Sequence, residues 1–200
     1  MNLTDPYVFQ KPLMIIVMGP ASCGKSTVGA GLAKNISVPF IDGDSLHPQS
    51  SVDKMSAGQP LTDEDRLPWL HAIRRTGIQK CREEFENDKV TSTDDGGIGR
   101  PAVVIACSAL KKKYRNVLRG TAGIVDEPEG SPELLQKRIS ERKGHFMKPD
   151  MLASQLATLE DPEKEGGVVT VDISKTQSEV IDDATEGIRH LVTVMDHQGL

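Results

Sequence analysis

The stretch GPASCGKS at residues 19 to 26 constrains the fold of this chain more than any other feature. It fits the pattern G-x-x-x-x-G-K-[ST] and lies between an apolar run, LMIIVM at 13 to 18, and a helical pattern over residues 25 to 35. The pattern is informative only between a buried strand and a helix, which is its context here. Its glycines let consecutive N–H groups, at the positive end of the helix, surround phosphate oxygens. The sequence therefore predicts a phosphate-binding loop (P-loop).

The loop residues are the candidate nucleotide contacts: Gly19, Pro20, Ala21, Ser22, Cys23, Gly24, Lys25, Ser26 and Thr27. Lys25 is placed to reach the β- and γ-phosphates, and the Ser26 hydroxyl to ligate Mg²⁺, so ATP and Mg²⁺ are the predicted cofactors. A guanine-specific NKxD is absent, and the spelling DxxG occurs only in a polar loop at residues 94 to 97, which disfavours a GTPase switch. Two interpretations of Cys23 stay open: a thiol activated by the helix N-terminus, or a small residue that fits the loop.

Apolar runs alternate with helical signals along the chain, which indicates an α/β fold. AVVIAC at 102 to 107 and VVTVDI at 168 to 173 resemble the first run, as buried parallel strands do. Helices are predicted from capping patterns at Thr62 and at TQSE, 176 to 179, and over SPELLQKRISERKG, 131 to 144. At 200 residues the chain is expected to form one domain over residues 1–200.

Two stretches look like loops. Residues 91 to 101, TSTDDGGIGRP, are rich in turn formers and are predicted to be an exposed insertion without chemistry. Residues 121 to 130, TAGIVDEPEG, occupy the place of another central strand, yet only residues 122 to 125 suit one, because acids and a proline follow.

Charge and cysteine content narrow the classes of partner. The chain has 24 basic and 29 acidic residues, a net charge of -5, which argues against a nucleic-acid surface. Its three cysteines cannot all pair and show no metal-type spacing, which is typical of a reducing, cytoplasmic setting. The N-terminus lacks signal-peptide order and no apolar run is long enough to cross a bilayer, so a soluble protein without a membrane partner is expected.

The stretch DGDSLHP at 42 to 48 places two carboxylates just beyond a short apolar run, VPFI. Residues that follow a strand of an open parallel sheet face the ligand crevice. We assign Asp42 to Mg²⁺, through water, and Asp44 to the acceptor hydroxyl, because phosphoryl transfer needs both a metal ion and a group that orients the nucleophile. The alternative is an ordinary Asp-Gly turn, with His47 bonded to backbone.

Five blocks of sequence, taken together, resemble the small P-loop gluconokinases, relatives of shikimate and nucleoside monophosphate kinases. They are GPASCGKST, DGDSLHP, KMSAGQPLTDEDRLPWL, CSALKKKYRNVLR and RKGHFMKPDMLASQLATLEDP. The resemblance implies a five-stranded parallel sheet flanked by helices, with a small helical lid at about residues 131–160. It also implies direct phosphorylation of D-gluconate at its 6-hydroxyl by ATP, in carbohydrate acid degradation, by a homodimer.

A sugar acid offers one carboxylate and many hydroxyls, so its pocket needs a few cations with short donors and acceptors. The candidate substrate-binding residues are Asp44, His47, Lys54, Arg66, Ser108, Lys111, Arg115 and His145. In the lid-like RKGHFM, Arg142 is the candidate cation for the transferring phosphate, which makes Lys25, Asp44 and Arg142 the predicted catalytic residues. Each has an ordinary alternative: Arg66 pairing Asp63 on a helix surface, the lysine run 111 to 113 forming a wet face, and the lid basic residues capping a helix.

Two rival functions stay open at this stage. One is a kinase of another small acceptor, such as shikimate or a nucleotide, on the same scaffold. The other is a nucleotide-binding regulatory protein without turnover, which would be expected to have lost Lys25, Ser26 or Asp44; all three are present.

Overall fold

The computed structural model describes residues 11–87, 89–90, 92–119, 124–125, 149–163 and 165–198. The strands are β1 (Leu13–Val17), β2 (Phe40–Asp42), β3 (Ala102–Ala106), β4 (Ile124–Val125) and β5 (Val168–Val169). The helices are α1 (Lys25–Asn35), α2 (Gln49–Ser56), α3 (Asp63–Glu86), α4 (Lys112–Leu118), α5 (Pro149–Thr158) and α6 (Gln177–His197). A single 3₁₀ turn, Gly43–Leu46, joins β2 to α2.

The five strands form one parallel sheet in the order β2-β3-β1-β4-β5, which confirms the predicted fold class. β1 and β3 pair along their whole length, from Leu13 opposite Ala102 to Val17 opposite Ala106, and every residue of both is buried. Because β1 lies between β3 and β4, the loop that follows β1 opens at the centre of the sheet edge, where ligands bind in open α/β sheets.

Helices cover both faces of the sheet. The side chains of β1 alternate, with Leu13 and Ile15 packing among residues of α1 and α6, and Met14 and Ile16 packing among residues of α3 and α4. This alternation divides the core into two apolar clusters, one on each face. The sheet edge that carries the candidate site is therefore held from both sides.

The capping patterns at Thr62 and Thr176 are confirmed. Thr62 accepts from the Asp65 N–H while the Asp65 carboxylate accepts from the Thr62 N–H, and Thr176 forms the same box with Glu179. Each box satisfies N–H groups that would otherwise lack partners at a helix start. Among the described residues, no helix is both long and apolar enough to cross a bilayer.

The strand expected over residues 168 to 173 is shorter than predicted, whereas the short strand expected within residues 122 to 125 is present. β5 is only two residues long, although Val171 and Ile173, which were predicted to belong to it, are buried in the core. β4 is also two residues long and falls within the stretch that suited a strand. The predicted helix at 131 to 144 lies outside the described residues.

The prediction of an exposed, idle insertion at residues 91 to 101 is wrong for its second half. Ile98 is buried in the core, and Arg100 is buried with its guanidinium donating to the Lys11 carbonyl and pairing with Asp196. Turn residues at 93 to 96 agree with the predicted loop. The end of this loop therefore anchors β3 to the last helix.

Candidate functional site

The P-loop begins directly after β1 and ends in α1. Its backbone enters the left-handed region at Gly19, Ser22 and Gly24, with φ of 146°, 65° and 102°. Gly24 is the N-cap of α1, and among the described residues no side chain caps this helix. The N–H groups of its first turn are thus left for an anion, as a phosphate site at a helix N-terminus requires.

Two hydrogen bonds and one buried thiol describe the loop further. The Lys25 ammonium donates to the Pro20 carbonyl at 2.7 Å, across the loop. The Ala21 N–H donates to the Gln155 Oε1 of α5 at 2.6 Å. Cys23 is buried among the apolar residues of the α1 face, which favours the packing interpretation of this thiol.

The acidic turn, Asp42 to Asp44, meets the P-loop. The Ser26 hydroxyl donates to Asp42 Oδ2 at 2.9 Å, while Asp42 Oδ1 accepts from the Asp44 N–H at 3.1 Å. Ser45 closes the turn by donating its hydroxyl to the Asp42 carbonyl at 2.6 Å. The strand ends of β1 and β2 therefore open onto a shared cleft.

The Ser26 and Asp42 oxygens fit a hard cation, because Mg²⁺ takes oxygen ligands and is usually held by one or two carboxylates together with phosphates and waters. Within the described ranges, no group of three or more His, Cys, Asp or Glu residues could hold a metal ion by itself. The chemistry of this pair thus suits an ion that shares its ligands with a bound nucleotide.

His47 and Trp69 form a stacked pair next to the acidic turn. Their ring centroids are 4.2 Å apart and the planes differ by 8°. Burial lowers the pKa of His47 below its ordinary value of 6.5; nearby Asp44 opposes this shift and Arg66 reinforces it. The Trp69 indole N–H donates to the Gly43 carbonyl at 2.7 Å.

Two lysines and a tyrosine converge on Asp63 at the start of α3. We call Asp63, Lys111, Lys113 and Tyr114 the cation cluster. The Asp63 carboxylate accepts from Lys111 at 2.9 Å and also contacts the ammonium of Lys113 and the hydroxyl of Tyr114. Hydrogen bonds from Lys113, Tyr114 and Lys111, in that order of effect, hold the pKa of Asp63 well below its usual range. Burial, followed by the hydrogen bond to Asp63, raises the pKa of Tyr114 to about 12.

Lys54 and Arg66 flank this cluster. Lys54 pairs with Asp65 at 2.5 Å, and this bond is the main cause that lowers the pKa of Asp65 to about 2. The alternative in which Arg66 pairs with Asp63 on the helix surface is not observed. The Arg66 guanidinium instead lies 5.9 Å from the centre of the Tyr114 ring, and the Lys111 ammonium lies 5.6 Å from the same centre. Both cations thus lie within the range of a cation–π contact with one buried ring.

The charges of Lys25, Asp44 and Arg66 all act on the pKa of Cys107, the residue that follows β3. Burial raises the pKa of Cys107 to about 12, while Lys25 and Arg66 lower it and Asp44 raises it. Ser108, a predicted substrate contact, follows Cys107 directly and is half-buried. The ends of β1, β2 and β3 therefore bring Lys25, Asp44 and Ser108 to the same edge of the sheet.

Arg115 requires a correction. It was predicted to bind substrate, but it is fully buried and all five of its N–H donors are used inside the protein. They bind both Glu165 oxygens, at 2.7 and 3.1 Å, and the carbonyls of Ala109, Leu110 and Glu160. Arg115 is therefore a structural residue that ties α4 to the segment after α5.

Arg142 and His145 lie outside the described residues, as does most of the predicted lid. The structure brings Lys25, Ser26, Asp42, Asp44, His47, Lys54, Arg66, Ser108 and Lys111 to the sheet edge, and their roles stay predictions. It also adds residues for which the sequence predicted no role at the site: Asp63 and Tyr114 beside the lysine run, and Gln155 at the P-loop. The only sequence signal for Tyr114 was its place after the lysine run.

Comparisons with known proteins agree with this arrangement. Residues 21–185 match the shikimate kinase family. The chain is 40% identical to a gluconokinase of Gluconobacter oxydans over 182 residues, which cover 90% of this chain and 92% of the relative. It is 37% identical to a probable gluconokinase of Schizosaccharomyces pombe, over 88% of this chain and 86% of the relative.

A solved structure supports the same relation. The crystal structure of a gluconokinase from Sinorhizobium meliloti superposes with a TM-score of 0.76 at 39% identity, covering 94% of this chain and 97% of that one.

Proposed function

The chain belongs to the gluconokinases of the shikimate kinase family, and we infer that it catalyses the ATP-dependent phosphorylation of D-gluconate to 6-phospho-D-gluconate. The single observation that carries this inference in the structure is the Ser26–Asp42 hydrogen bond of 2.9 Å. It joins the P-loop to the acidic turn, so that a group able to act on a hydroxyl lies beside a group able to hold phosphates.

We propose the following division of labour at the cleft. Bound ATP supplies the phosphoryl group, and Mg²⁺ neutralises its charge. The first-turn N–H groups of α1 and the Lys25 ammonium would bind the phosphates, and Ser26 with Asp42 would hold the cation. The Lys25 ammonium has three donors, so its bond to the Pro20 carbonyl leaves two for phosphate oxygens. Asp44 orients the acceptor hydroxyl and takes its proton, which permits direct in-line transfer.

The acceptor carboxylate is assigned to the cation cluster and the two cations that flank it. Lys54 lies in the last turn of α2, Arg66 in the first turn of α3 and Lys111 just before α4, and both lysines are already paired with carboxylates of the protein. A gluconate carboxylate can take the place of such a partner without burying an unpaired charge, because one ion pair is exchanged for another. His47 and Ser108 then offer short donors and acceptors to hydroxyls.

We assign Arg142 and His145 to the closing lid, with Arg142 on the transferring phosphate and His145 toward the substrate, on the basis of the family resemblance. A homodimer is proposed on the same basis, and the exposure of Ile78 and Phe85 on the outer face of α3 supports it. A cytoplasmic setting is supported by the three cysteines, none of which forms a disulfide in the structure. Sedimentation equilibrium tests the dimer.

The test is a coupled assay of ADP release with gluconate, shikimate or a nucleoside monophosphate as acceptor. We expect ADP release to depend on gluconate, and Asp44→Ala to lower that rate by about 10²- to 10⁴-fold, the usual contribution of a general base. Asp182→Ala removes an exposed carboxylate of α6 and serves as the matched control with wild-type turnover.

Preference for shikimate or a nucleotide would rule out gluconate as the acceptor. A gluconate-dependent rate that is unchanged in Asp44→Ala would contradict the role of Asp44.

A further inference from the structure

We propose that Trp69 is a positioning residue for the reaction, holding the acidic turn and the His47 ring in the geometry that the acceptor hydroxyl requires. This inference rests on the proposed function, because the groups that Trp69 touches are those assigned to metal and acceptor.

The hydrogen bond of Trp69 reaches the centre of the acidic turn. Its indole N–H donates at 2.7 Å, in a buried environment, to the carbonyl of Gly43, the residue between Asp42 and Asp44. A buried carbonyl without its donor carries a desolvation penalty, so the bond also specifies where this peptide lies. The peptide that Trp69 fixes therefore links the carboxylate on the cation side to the carboxylate on the acceptor side.

The acidic turn is held from its other side by β3. A Cβ on Gly43 would lie 2.4 Å from the Ala106 carbonyl oxygen and 3.3 Å from the Ile73 side chain, so backbone and helix leave no spare room around Gly43. Trp69 and Ile73 are one turn apart on α3. The turn is thus clamped between a central strand and the face of α3 that carries the indole.

The stack on His47 determines the plane of the imidazole. Within the described part of the chain, neither ring nitrogen of His47 forms a hydrogen bond, and Nδ1 is buried without a partner. The contact with Trp69, with 4.2 Å between ring centroids, is therefore what orients the ring. Burial lowers the pKa of His47, with Asp44 and Arg66 as the charged neighbours, which favours the neutral ring, and a neutral imidazole has both a donor and an acceptor for a hydroxyl.

Trp69 also connects the acidic turn with the cations that are proposed to bind the substrate carboxylate. It lies on α3, one turn after Arg66 and nearly two turns after Asp63, the member of the cation cluster that begins this helix. A shift of this helix would be passed to the acidic turn by the indole. Misplacement of a catalytic group by about 1 Å can cost about 100-fold in rate, so such a coupling affects kcat.

Trp69→Phe and Trp69→Leu separate the two contacts. Phe keeps an aromatic ring for the stack but removes the N–H donor, and Leu removes both. We expect kcat with gluconate to fall about 10-fold for Phe and further for Leu, while the KM for ATP stays within about twofold. Leu70→Val truncates the neighbouring buried residue of the same apolar cluster and should lower thermal stability without changing kcat.

The fluorescence of the chain gives a readout that does not depend on turnover, because Trp69 is its only tryptophan. A protonated imidazole quenches a stacked indole, so the emission of the wild type should fall as the pH is lowered, with a midpoint below pH 6.5. The His47→Asn variant should lack this step. A step of equal size in both proteins would overturn the stack and, with it, the proposal.

The kinetic outcomes separate this proposal from the proposed function. A wild type without gluconate-dependent turnover contradicts the function, and the fluorescence comparison then decides on the stack. A wild type that turns over gluconate, with Trp69→Phe and Leu70→Val equal in kcat at equal thermal stability, overturns the positioning role.

Discussion

At the scale of single residues, Arg115 and Lys111 show how differently two neighbouring cations are used. Both follow β3 within the same basic stretch, and both suited a carboxylate ligand. Lys111 precedes α4 and is partly exposed, with one bond to Asp63. Arg115 lies inside α4 with every donor paired, including both oxygens of Glu165. The first can exchange its partner for substrate, and the second cannot.

These two positions give opposite predictions. Arg115→Met removes one of the two arginines that pair with Glu165 among the described residues, together with three carbonyl contacts, so we expect a loss of about 3 kcal/mol in the free energy of unfolding, as for a broken buried pair. Lys111→Met should raise the KM for gluconate by about 10-fold, since the lost interaction is a charge-assisted bond. Urea unfolding and steady-state kinetics measure the two quantities.

Each of the two variants serves as the control for the other. Lys111→Met is expected to unfold at the wild-type urea concentration, because exposed ion pairs contribute little to stability. If Arg115→Met instead raised the KM for gluconate without loss of stability, the structural role of Arg115 would be wrong.

At the scale of elements, the sequence predicted best what local chemistry decides. The helix starts at Thr62 and Thr176 were readable because each capping box lies within four residues. The length of β5 was not, because apolar Val171 and Ile173 serve the core without joining the ladder. Burial and strand pairing are separate requirements, and an apolar run reports only the first.

The same limit applies to the site. P-loop and acidic turn were recognisable from spacing, since each function resides in consecutive residues. Asp63, Tyr114 and Gln155 were missed because their contacts bridge 48 to 134 positions of sequence, which no local pattern encodes. Arg115 was misassigned for the same reason: its main partner, Glu165, is 50 positions away.

Gly43 offers a test of how tightly one element holds another. A methyl group there would meet the Ala106 carbonyl at 2.4 Å, and a backbone oxygen of β3 cannot move aside as a flexible side chain can. We expect Gly43→Ala to cost about 1 to 3 kcal/mol of stability, as overpacking does, and to lower kcat more than it raises either KM, because the turn itself is displaced.

Gly166→Ala is the matched control, since a Cβ at that position meets nothing within 4 Å. Thermal unfolding and turnover are measured on both variants. A Gly43→Ala enzyme with wild-type kcat would show that the acidic turn tolerates displacement from β3.

At the scale of the whole molecule, the groups that serve the acceptor also set the response to acid. Hydrogen bonds to cations lower the pKa of Asp63 and Asp65, both at the start of α3. A carboxylate with a lowered folded pKa contributes stability that is present above its unfolded pKa and is lost as the pH falls through the folded one. His47 adds a smaller, earlier loss below pH 6.5, because the unfolded chain takes up its proton first.

We therefore expect thermal stability to begin to decline as the pH falls below 6.5, and to decline further as the pH falls through 3.8 toward about 2, the window of Asp65. Asp65→Asn should flatten this second decline, since its neutral amide has no proton to take up. Unfolding temperatures measured every half pH unit give the slope for each protein.

Two controls separate this linkage from general charge repulsion in acid. Asp182→Asn changes the net charge by the same amount on exposed α6 and should keep the second decline. Gluconate should deepen the acid dependence of the wild type if its carboxylate joins the cation cluster, because a ligand that binds only the folded state adds its own free energy. An acid limb identical in wild type and Asp65→Asn would mean that the carboxylates of α3 do not control it, and the exchange of Asp65 for substrate at Lys54 would lose its thermodynamic basis.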